Sequence, residues 1–380
     1  MKMKTLQILG NSAFGGGTRL VIDWCKYLVD QGCVVDVLTT DLRSISEFNQ
    51  IKGVRVRQDV LIPRDIVPWH DIKAVLKLCS MIKKEQYHVI HTYSATPSFI
   101  GRLSGFLVGT PVILHHQAGW AVNEASSKFS KVVYQALEAL AITISTKSIC
   151  VSHAVRKQAE QLPLIPKSKL VTICNGIEAE RFLNISSNQC RLSLCEEFNI
   201  PPETVLIGNT GRLAKQKDNA SLIYAVADLI NNHPEHTFTL LLAGDGPDRN
   251  ELVALAKSLE IAENVIFLGF RSDIPELLAS IDIFVSPSLW EGLSISLLEA
   301  MAAGCPIIAS SILPNTELIE DKVNGLLVPE KSPLKIAKAI IYLVNNPDLA
   351  KKFAQAAREK VLKDYSMQRM FDETYELYKI

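Results

Sequence analysis

Short apolar runs alternate with amphipathic stretches along nearly the whole chain. TLQILGN is followed, past a run of glycines, by RLVIDWCKYLVDQG, where Leu20, Val21, Trp24, Tyr27 and Leu28 fall at helical spacing and Gly32 stops the helix. CVVDVLTT then reads as the next buried strand. The unit repeats as helix DIKAVLKLCSMIKKE, strand HVIHTYS, helix TPSFIGRLSGFLVG and strand PVILHHQ. It continues as helix SSKFSKVVYQALEALAITIS, strand KSICVS, helix HAVRKQAEQ and strand KLVTICN. Strand–helix alternation of this length predicts parallel sheets covered on both faces.

The pattern restarts at TVLIGNTGR (204–212), after the polar, weakly patterned stretch Asn184–Asn199. Helix NASLIYAVADLINNH, strand FTLLLAGDG, helix PDRNELVALAKSLE, strand NVIFLGF, helix IPELLAS and strand IDIFVSPS follow. Helix ISLLEAMAAG, strand PIIASS, helix NTELIED, strand GLLVP and helix PLKIAKAIIYLVNN complete the second array. At 380 residues and 42.0 kDa the chain exceeds what one hydrophobic core usually holds. The expected class is therefore α/β, with two doubly wound parallel-sheet domains and a linker near 176–200. Sites in such sheets lie at the carboxyl ends of the strands, so a cleft between the domains is the expected place.

With 48% hydrophobic and 21% charged residues, the chain is neither disordered nor fibrous. Its 40 basic and 40 acidic side chains cancel, but unevenly. Through Cys195 there are 23 Lys and Arg against 14 Asp and Glu, and beyond it 17 against 26. Two readings stand: an anionic surface or acceptor for the basic half, or a solvated charge pattern with no partner. The start, MKMKTLQILGNSAFGGG, has too short an apolar run for a signal peptide. No stretch reaches the roughly 18 apolar residues of a membrane-spanning helix. Cysteines 25, 33, 79, 150, 174, 190, 195 and 305 show neither CxxC nor His/Cys ligand spacing. They read as small core residues, placing the protein in the cytoplasm or at the inner face of a cytoplasmic membrane.

Three segments carry candidate chemistry. Gly15, Gly16 and Gly17 lie between the first strand and helix, where backbone N–H groups can meet an anion. The spacing is not GxGxxG, and Asp41 lies beyond the second strand, which disfavours a dinucleotide-dependent dehydrogenase; a tight turn with no ligand explains the cluster equally well. In GRLAKQKD, Arg212 and Lys217 stand five residues apart at a strand's carboxyl end and can converge on a diphosphate. No Asp-x-Asp pair occurs, so no metal ligand set is evident and these cations must do that work.

In SLWEGLSISLLEAMAAGCPII, Glu291 precedes a helix starting near Ser294–Ile295, and Glu299 lies in its first turns. A carboxylate in an otherwise apolar helix needs a hydrogen-bonding partner, and a vicinal diol is a suitable one. A backbone partner for Glu299 and a capping role for Glu291 form the structural alternative.

These segments together resemble the family 4 glycosyltransferases, the retaining group of GT-B fold that uses nucleotide sugars. The resemblance rests on the GGG turn, NGIEAERF, GRLAKQKD, AGDGP, LGF with RSDIPELL, SPSLWEGLSISLLEAMAAGCPII and NGLLVP, nearly the whole chain. It implies two Rossmann-like domains facing across a cleft. Residues 1–185 with the terminal helix 366–380 would bind the acceptor, and 186–365 the nucleotide sugar. It implies that Arg212 and Lys217 bind the diphosphate, that Glu299 holds the ribose, and that Glu291 contacts the transferred sugar near Gly292, Leu293, Ser294 and Ile295.

Gly244 and the region of Arg271 would flank the base, and Gly15 to Gly17 would approach phosphates or acceptor. The family often places a histidine at the end of a first-domain strand near the donor sugar. HHQAG offers His115 and His116, of which His116 sits closer to that position, while Tyr93 replaces the second histidine of the commoner His-x-His form after His91. Met370, Tyr375, Leu377 and Tyr378 lie in helical reach in a last helix that would cross back onto the first domain; an ordinary surface-packed terminal helix is the alternative.

The resemblance implies as partners a nucleoside-diphosphate sugar of uridine type and a glycan or lipid-linked acceptor, the basic first half adds peripheral contact with an anionic membrane, and no nucleic acid is expected. No cofactor and no metal are expected. Acceptor-binding loops are expected at 63–71 and 119–128. A nucleotide-sugar epimerase or hydrolase of the same fold, or a non-catalytic nucleotide-sugar-binding module, are the alternatives.

Overall fold

A computed structural model describes residues 2–10, 15–62, 68–93, 95–119, 128–162 and 164–380. The chain forms two units, Met1–Asn175 with Met370–Ile380, and Gly176–Arg369. Of the loops expected at 63–71 and 119–128, residues 63–67 and 120–127 lie outside the described residues, whereas residues 68–71 open a helix, Pro68–Glu85, and Lys128 opens another.

The first unit runs β1 (Lys4–Gly10), α1 (Gly16–Asp30), β2 (Val34–Thr39), α2 (Leu42–Asn49), β3 (Val54–Arg57), α3 (Pro68–Glu85), β4 (Val89–Thr92), α4 (Ala95–Val108), β5 (Val112–Gln117), α5 (Lys128–Ile144), β6 (Lys147–Cys150), α6 (His153–Glu160) and β7 (Leu170–Thr172). Its sheet order is β3-β2-β1-β4-β5-β6-β7, and every pairing is parallel. Leu6 and Ile8 of β1 are fully buried with Leu78 and Ile82 of α3 and Ile90 of β4. Each such side chain contributes about 1.5–3 kcal/mol by leaving water.

Two elements here are absent from the sequence-based expectation. Strand β3 reads VRVR, and its arginines turn toward a buried acid. Arg55 Nε donates to Asp36 Oδ1 at 3.0 Å, and Arg57 Nη1 donates to Glu85 Oε1 at 2.8 Å. Lys4 and Arg55 also pair with Glu85, and the Tyr87 hydroxyl donates to Asp36. These cations hold the Glu85 carboxyl well below the usual carboxylate range, Lys4 having the largest effect. Helix α2 buries only Ser44 and Phe48, and Asp41 is its N-cap, accepting from Ser44 N at 2.8 Å.

In the second unit come α7 (Ser187–Phe198), β8 (Val205–Thr210), α8 (Asn219–Asn232), β9 (Phe238–Ala243), α9 (Arg249–Ser258), β10 (Val265–Gly269), α10 (Ile274–Ser280), β11 (Ile283–Ser286), α11 (Ile295–Ala303), β12 (Ile307–Ser310), α12 (Leu313–Leu318), β13 (Leu326–Val328), α13 (Pro333–Val344) and α14 (Pro347–Asp364). The parallel sheet has the order β10-β9-β8-β11-β12-β13. Leu240 and Leu242 pack with Leu222, Val226 and Ile340 in its core.

The polar stretch expected as a linker is instead largely the helix α7, which buries only Leu194 and Cys195. Helix α14, also unanticipated, buries Ala350, Phe353, Ala354, Ala357 and Val361 along one stripe. The last helix, α15 (Met367–Glu376), lies from Met370 onward in the segment Met370–Ile380 that belongs to the first unit. All eight cysteines are free thiols, six of them buried.

Candidate functional site

In an open parallel sheet, ligands bind where the strand order reverses. In the second unit that point lies between β8 and β11, neighbours whose chain connections leave toward opposite sides of the sheet. The loop after β8 carries Arg212 and the single-turn helix Lys215–Lys217; the loop after β11 carries Glu291. The two loops are tied together. Leu289 N donates to Gln216 O at 2.8 Å, and Gln216 Nε2 donates to Trp290 O at 2.8 Å.

Lys217 Nζ lies 2.5 Å from Glu291 Oε1, with side chains only 14% and 8% exposed. Glu291 also accepts from Ser288 Oγ at 2.8 Å and from Gln216 Nε2 at 3.3 Å. Desolvating both charges offsets most of their attraction, so the pair adds little net stability while fixing where both heads lie. Arg212 is exposed, and among the described residues no acceptor pairs with its guanidinium. One cation is thus held by a carboxylate and another stands open beside the same strand end. Asp218, which follows in left-handed conformation (φ 47°), has its carboxyl pushed up by burial although Ser221 Oγ donates to it at 2.7 Å.

The loop after β9 braces this arrangement. Gly211 N donates to Ala243 O at 2.8 Å, and Leu213 N donates to Asp245 O at 3.0 Å. Gly244 has φ +137°, and a Cβ there would lie 1.9 Å from Gly211 O. Gly244 N in turn donates to Gly269 O at 2.7 Å. Only glycine lets these backbones approach so closely. Gly244 therefore shapes the Arg212 loop by packing, beside the end of β10.

Arg271, beyond β10, has its fork taken: Nε donates to Asp273 Oδ1 at 2.8 Å and Nη1 to Glu197 Oε1 at 2.7 Å. Asp273 and Glu197 hold its charge more firmly than in water. The exposed aromatic beside it is Phe270. At the other side of the site, Gly292, Leu293 and Ser294 are buried and lead into α11. Ser294 is the N-cap, its Oγ accepting from Leu297 N at 3.4 Å. Ile295 and Glu299 are half-buried, Glu299 on the second turn of α11.

The first unit holds its own polar cluster. Side chains alternate across β5, so the two histidines part company. His115 Nδ1 is committed to Ser98 Oγ at 2.8 Å and Thr92 Oγ1 at 3.0 Å. His116 Nε2 meets Asn175 Oδ1 at 3.1 Å, and burial holds this imidazole down to about 4. It is neutral at pH 7. Its ring lies 6.1 Å from that of His91 and 5.8 Å from that of Tyr93, and His91 and Tyr93 stack at 4.5 Å.

Sequence reasoning missed the residues that order this cluster. Tyr378 Oη lies 2.9 Å from His91 Nδ1, and receives hydrogen bonds from Trp24 Nε1 at 3.1 Å and Gln7 Nε2 at 3.2 Å. The Tyr93 hydroxyl donates to Gln7 Oε1 at 2.7 Å. Gln7 and Tyr378 are 371 positions apart, so no local pattern announces them. Gly15, Gly16 and Gly17 are exposed at the N-terminus of α1. A Cβ at Gly15 or Gly17 would meet nothing within 4 Å, so internal packing does not require glycine there.

Residues 194–360 match the family Glycosyl transferases group 1, and residues 14–181 match Glycosyltransferase Family 4. A UDP-Gal:alpha-D-GlcNAc-diphosphoundecaprenol alpha-1,3-galactosyltransferase of Escherichia coli is 27% identical over 317 residues, 83% of this chain and 81% of that protein. An Anabaena protein solved with UDP-glucose superposes with TM-score 0.83 at 21% identity, covering 98% of both chains. WaaG, a glycosyltransferase involved in lipopolysaccharide biosynthesis, superposes with TM-score 0.79 at 18% identity over 99% of both chains. These two likenesses concern the fold.

Proposed function

The chain belongs to the family 4 and group 1 glycosyltransferases of GT-B type, and from that premise we propose that it moves a sugar from a UDP-sugar to a lipid-linked glycan precursor with retention of anomeric configuration. The observation that carries the donor site is the Lys217–Glu291 pair at the β8/β11 switch point, with Arg212 exposed in the same β8 loop and without an acceptor among the described residues. Uridine as the base and an undecaprenyl-type acceptor are favoured by the activity for which the Escherichia coli relative is named, and uridine also by the UDP-glucose complex of the Anabaena protein.

In this reading Arg212 and Lys217 take the diphosphate, and Glu291, once its ammonium partner turns to phosphate, accepts hydroxyls of the transferred sugar. Glu299 accepts the ribose diol. Gly292 to Ile295 offer backbone groups at the start of α11, where the helix dipole favours anionic oxygen. His116 supplies a neutral hydrogen-bonding imidazole.

During transfer the bond between the sugar's anomeric carbon and the β-phosphate oxygen breaks as the acceptor oxygen bonds to the same face. The acceptor's proton passes to the departing phosphate oxygen. The two cations stabilise the charge that develops on that oxygen, the role a divalent ion fills in other phosphoryl-leaving sites.

The test is UDP release from a panel of UDP-sugars, with and without an undecaprenyl-diphosphate-linked monosaccharide. Acceptor-dependent release with an α-linked product supports the reading. Release or epimerised sugar without acceptor identifies a hydrolase or epimerase, and donor binding with no turnover identifies a binding module.

A further inference from the structure

Helix α3 shows solvent a face that its core contacts do not explain. Ala74, Leu78, Met81 and Ile82 point into the core of the first unit. On the other side Trp69, Ile72 and Leu76 are 76%, 52% and 65% exposed. At the helical repeat these three fall within about 60° of arc. Lone exposed apolar residues need no explanation, but a turn-spaced stripe headed by tryptophan does.

The charges around the stripe have one sign. Lys73, Lys77, Lys83 and Lys84 are all exposed, and with the apolar three they occupy a solvent arc of about 140°. No acid lies in that arc. Asp71 falls on the opposite side, and Glu85 is engaged by Lys4, Arg55 and Arg57. The excess of Lys and Arg through Cys195, 23 against 14 acids, extends the same sign. On the neighbouring helix α4, Phe106 and Leu107 are exposed as well.

We propose that this face of α3 docks on an anionic lipid bilayer, with Trp69, Ile72 and Leu76 among the headgroups and the lysines at lipid phosphates. An interfacial helix of this kind combines an apolar stripe, a headgroup-level tryptophan and flanking lysines. Among the described residues no helix is long and apolar enough to cross a membrane, so peripheral docking is the attachment this surface offers. A second copy of the chain fits poorly. A two-fold interface sets a patch against itself, which would bring the lysines of one copy against those of the other. The proposal rests on the lipid-linked acceptor of the previous section for its purpose, but its test needs neither donor nor acceptor.

The full chain is floated with vesicles of phosphatidylcholine alone and of phosphatidylcholine with phosphatidylglycerol. Binding is expected only with phosphatidylglycerol and weakens as salt is raised. Trp69→Ser with Leu76→Ser, and separately Lys73→Glu with Lys77→Glu, should each lower partitioning at least tenfold, each lysine being worth about fivefold. All four side chains are exposed, so circular dichroism and melting stay as in the wild type.

Equal binding to both vesicles, or wild-type partitioning by both variants, overturns the proposal. So does a concentration-dependent dimer in sedimentation that the Trp69→Ser variant abolishes. Turnover on a water-soluble acceptor analogue should be the same in wild type and in the Lys73→Glu, Lys77→Glu variant, whose two positions lie outside the 63–71 segment expected to bind acceptor. Lost flotation with that turnover kept leaves the transfer reading standing, whereas flotation without any turnover leaves only the docking.

Discussion

The hydroxyl of Tyr378 lies 2.9 Å from Nδ1 of His91, joining the third residue from the end of the chain to the fourth strand of the first unit. Trp24 and Gln7 both donate to the same oxygen. Tyr378→Phe keeps the ring and its edge contact with Trp24 but strands the buried Trp24 indole N–H and leaves Gln7 Nε2 with Thr5 Oγ1 alone. The cost of leaving such groups unsatisfied is about 1–3 kcal/mol. The first unit should melt several degrees lower, followed by calorimetry; an unchanged transition would show that the network is not stabilising.

Acid should weaken the first unit. His116 titrates near 4 in the fold against an ordinary value of 6.5, and burial also keeps His91 and His115 well below it. Between those values the unfolded chain binds more protons than the native one, so stability rises with pH through that window and is lost as pH falls from about 6.5 toward 4. Melting at pH 5 and pH 7 should show the drop. In His116→Gln the drop should be smaller.

The two glycine sites should respond in opposite ways. Gly244→Ala forces a Cβ to 1.9 Å from Gly211 O at φ +137°, so the Arg212 loop must shift and both stability and donor binding should fall. Gly15→Ala meets no atom within 4 Å, and its effect on stability should stay within about 0.5 kcal/mol. A fall in turnover for Gly15→Ala at unchanged melting temperature would mark close approach of a ligand. Turnover equal to wild type would leave the tight turn as sufficient reason for that glycine.

Lys217→Ala is a compound test. Removing the ammonium leaves Glu291, 8% exposed, with only Ser288 and Gln216 as partners. Breaking a buried pair from one side costs several kcal/mol. We therefore expect lost turnover together with a lower melting temperature, and partial recovery of the latter by adding Glu291→Gln. No recovery would mean that the instability arises elsewhere in the loop.

Most of the fold is legible because its strands are continuous apolar runs and its helices carry clear periodicity. The missed elements lack that contrast for identifiable reasons. β3 hides because Arg55 and Arg57 look exposed until Asp36 and Glu85 are known to meet them. α7 hides because it buries two residues, Leu194 and Cys195. The stripe of α14 is mostly alanine, which differs little from its polar flanks in hydropathy.

At the site, the cations and carboxylates are visible as residue types at strand ends. That Glu291 rather than Glu299 pairs with Lys217 depends on two loops 74 positions apart and had no local signal. The terminal aromatics were visible as a helical group, but their attachment to Gln7 and His91 depends on the return of the chain to its first strand.

Arg212 offers the most direct test, because it is exposed and no acceptor among the described residues holds it, so its loss leaves no buried charge behind. The measurement is acceptor-dependent UDP release by Arg212→Ala against wild type, with melting temperature followed in parallel. Losing one group that stabilises a developing anion costs about 100- to 1,000-fold. If Arg212 holds the departing diphosphate, a fall of that size is expected at unchanged melting temperature; wild-type kcat/KM for the UDP-sugar would contradict that role.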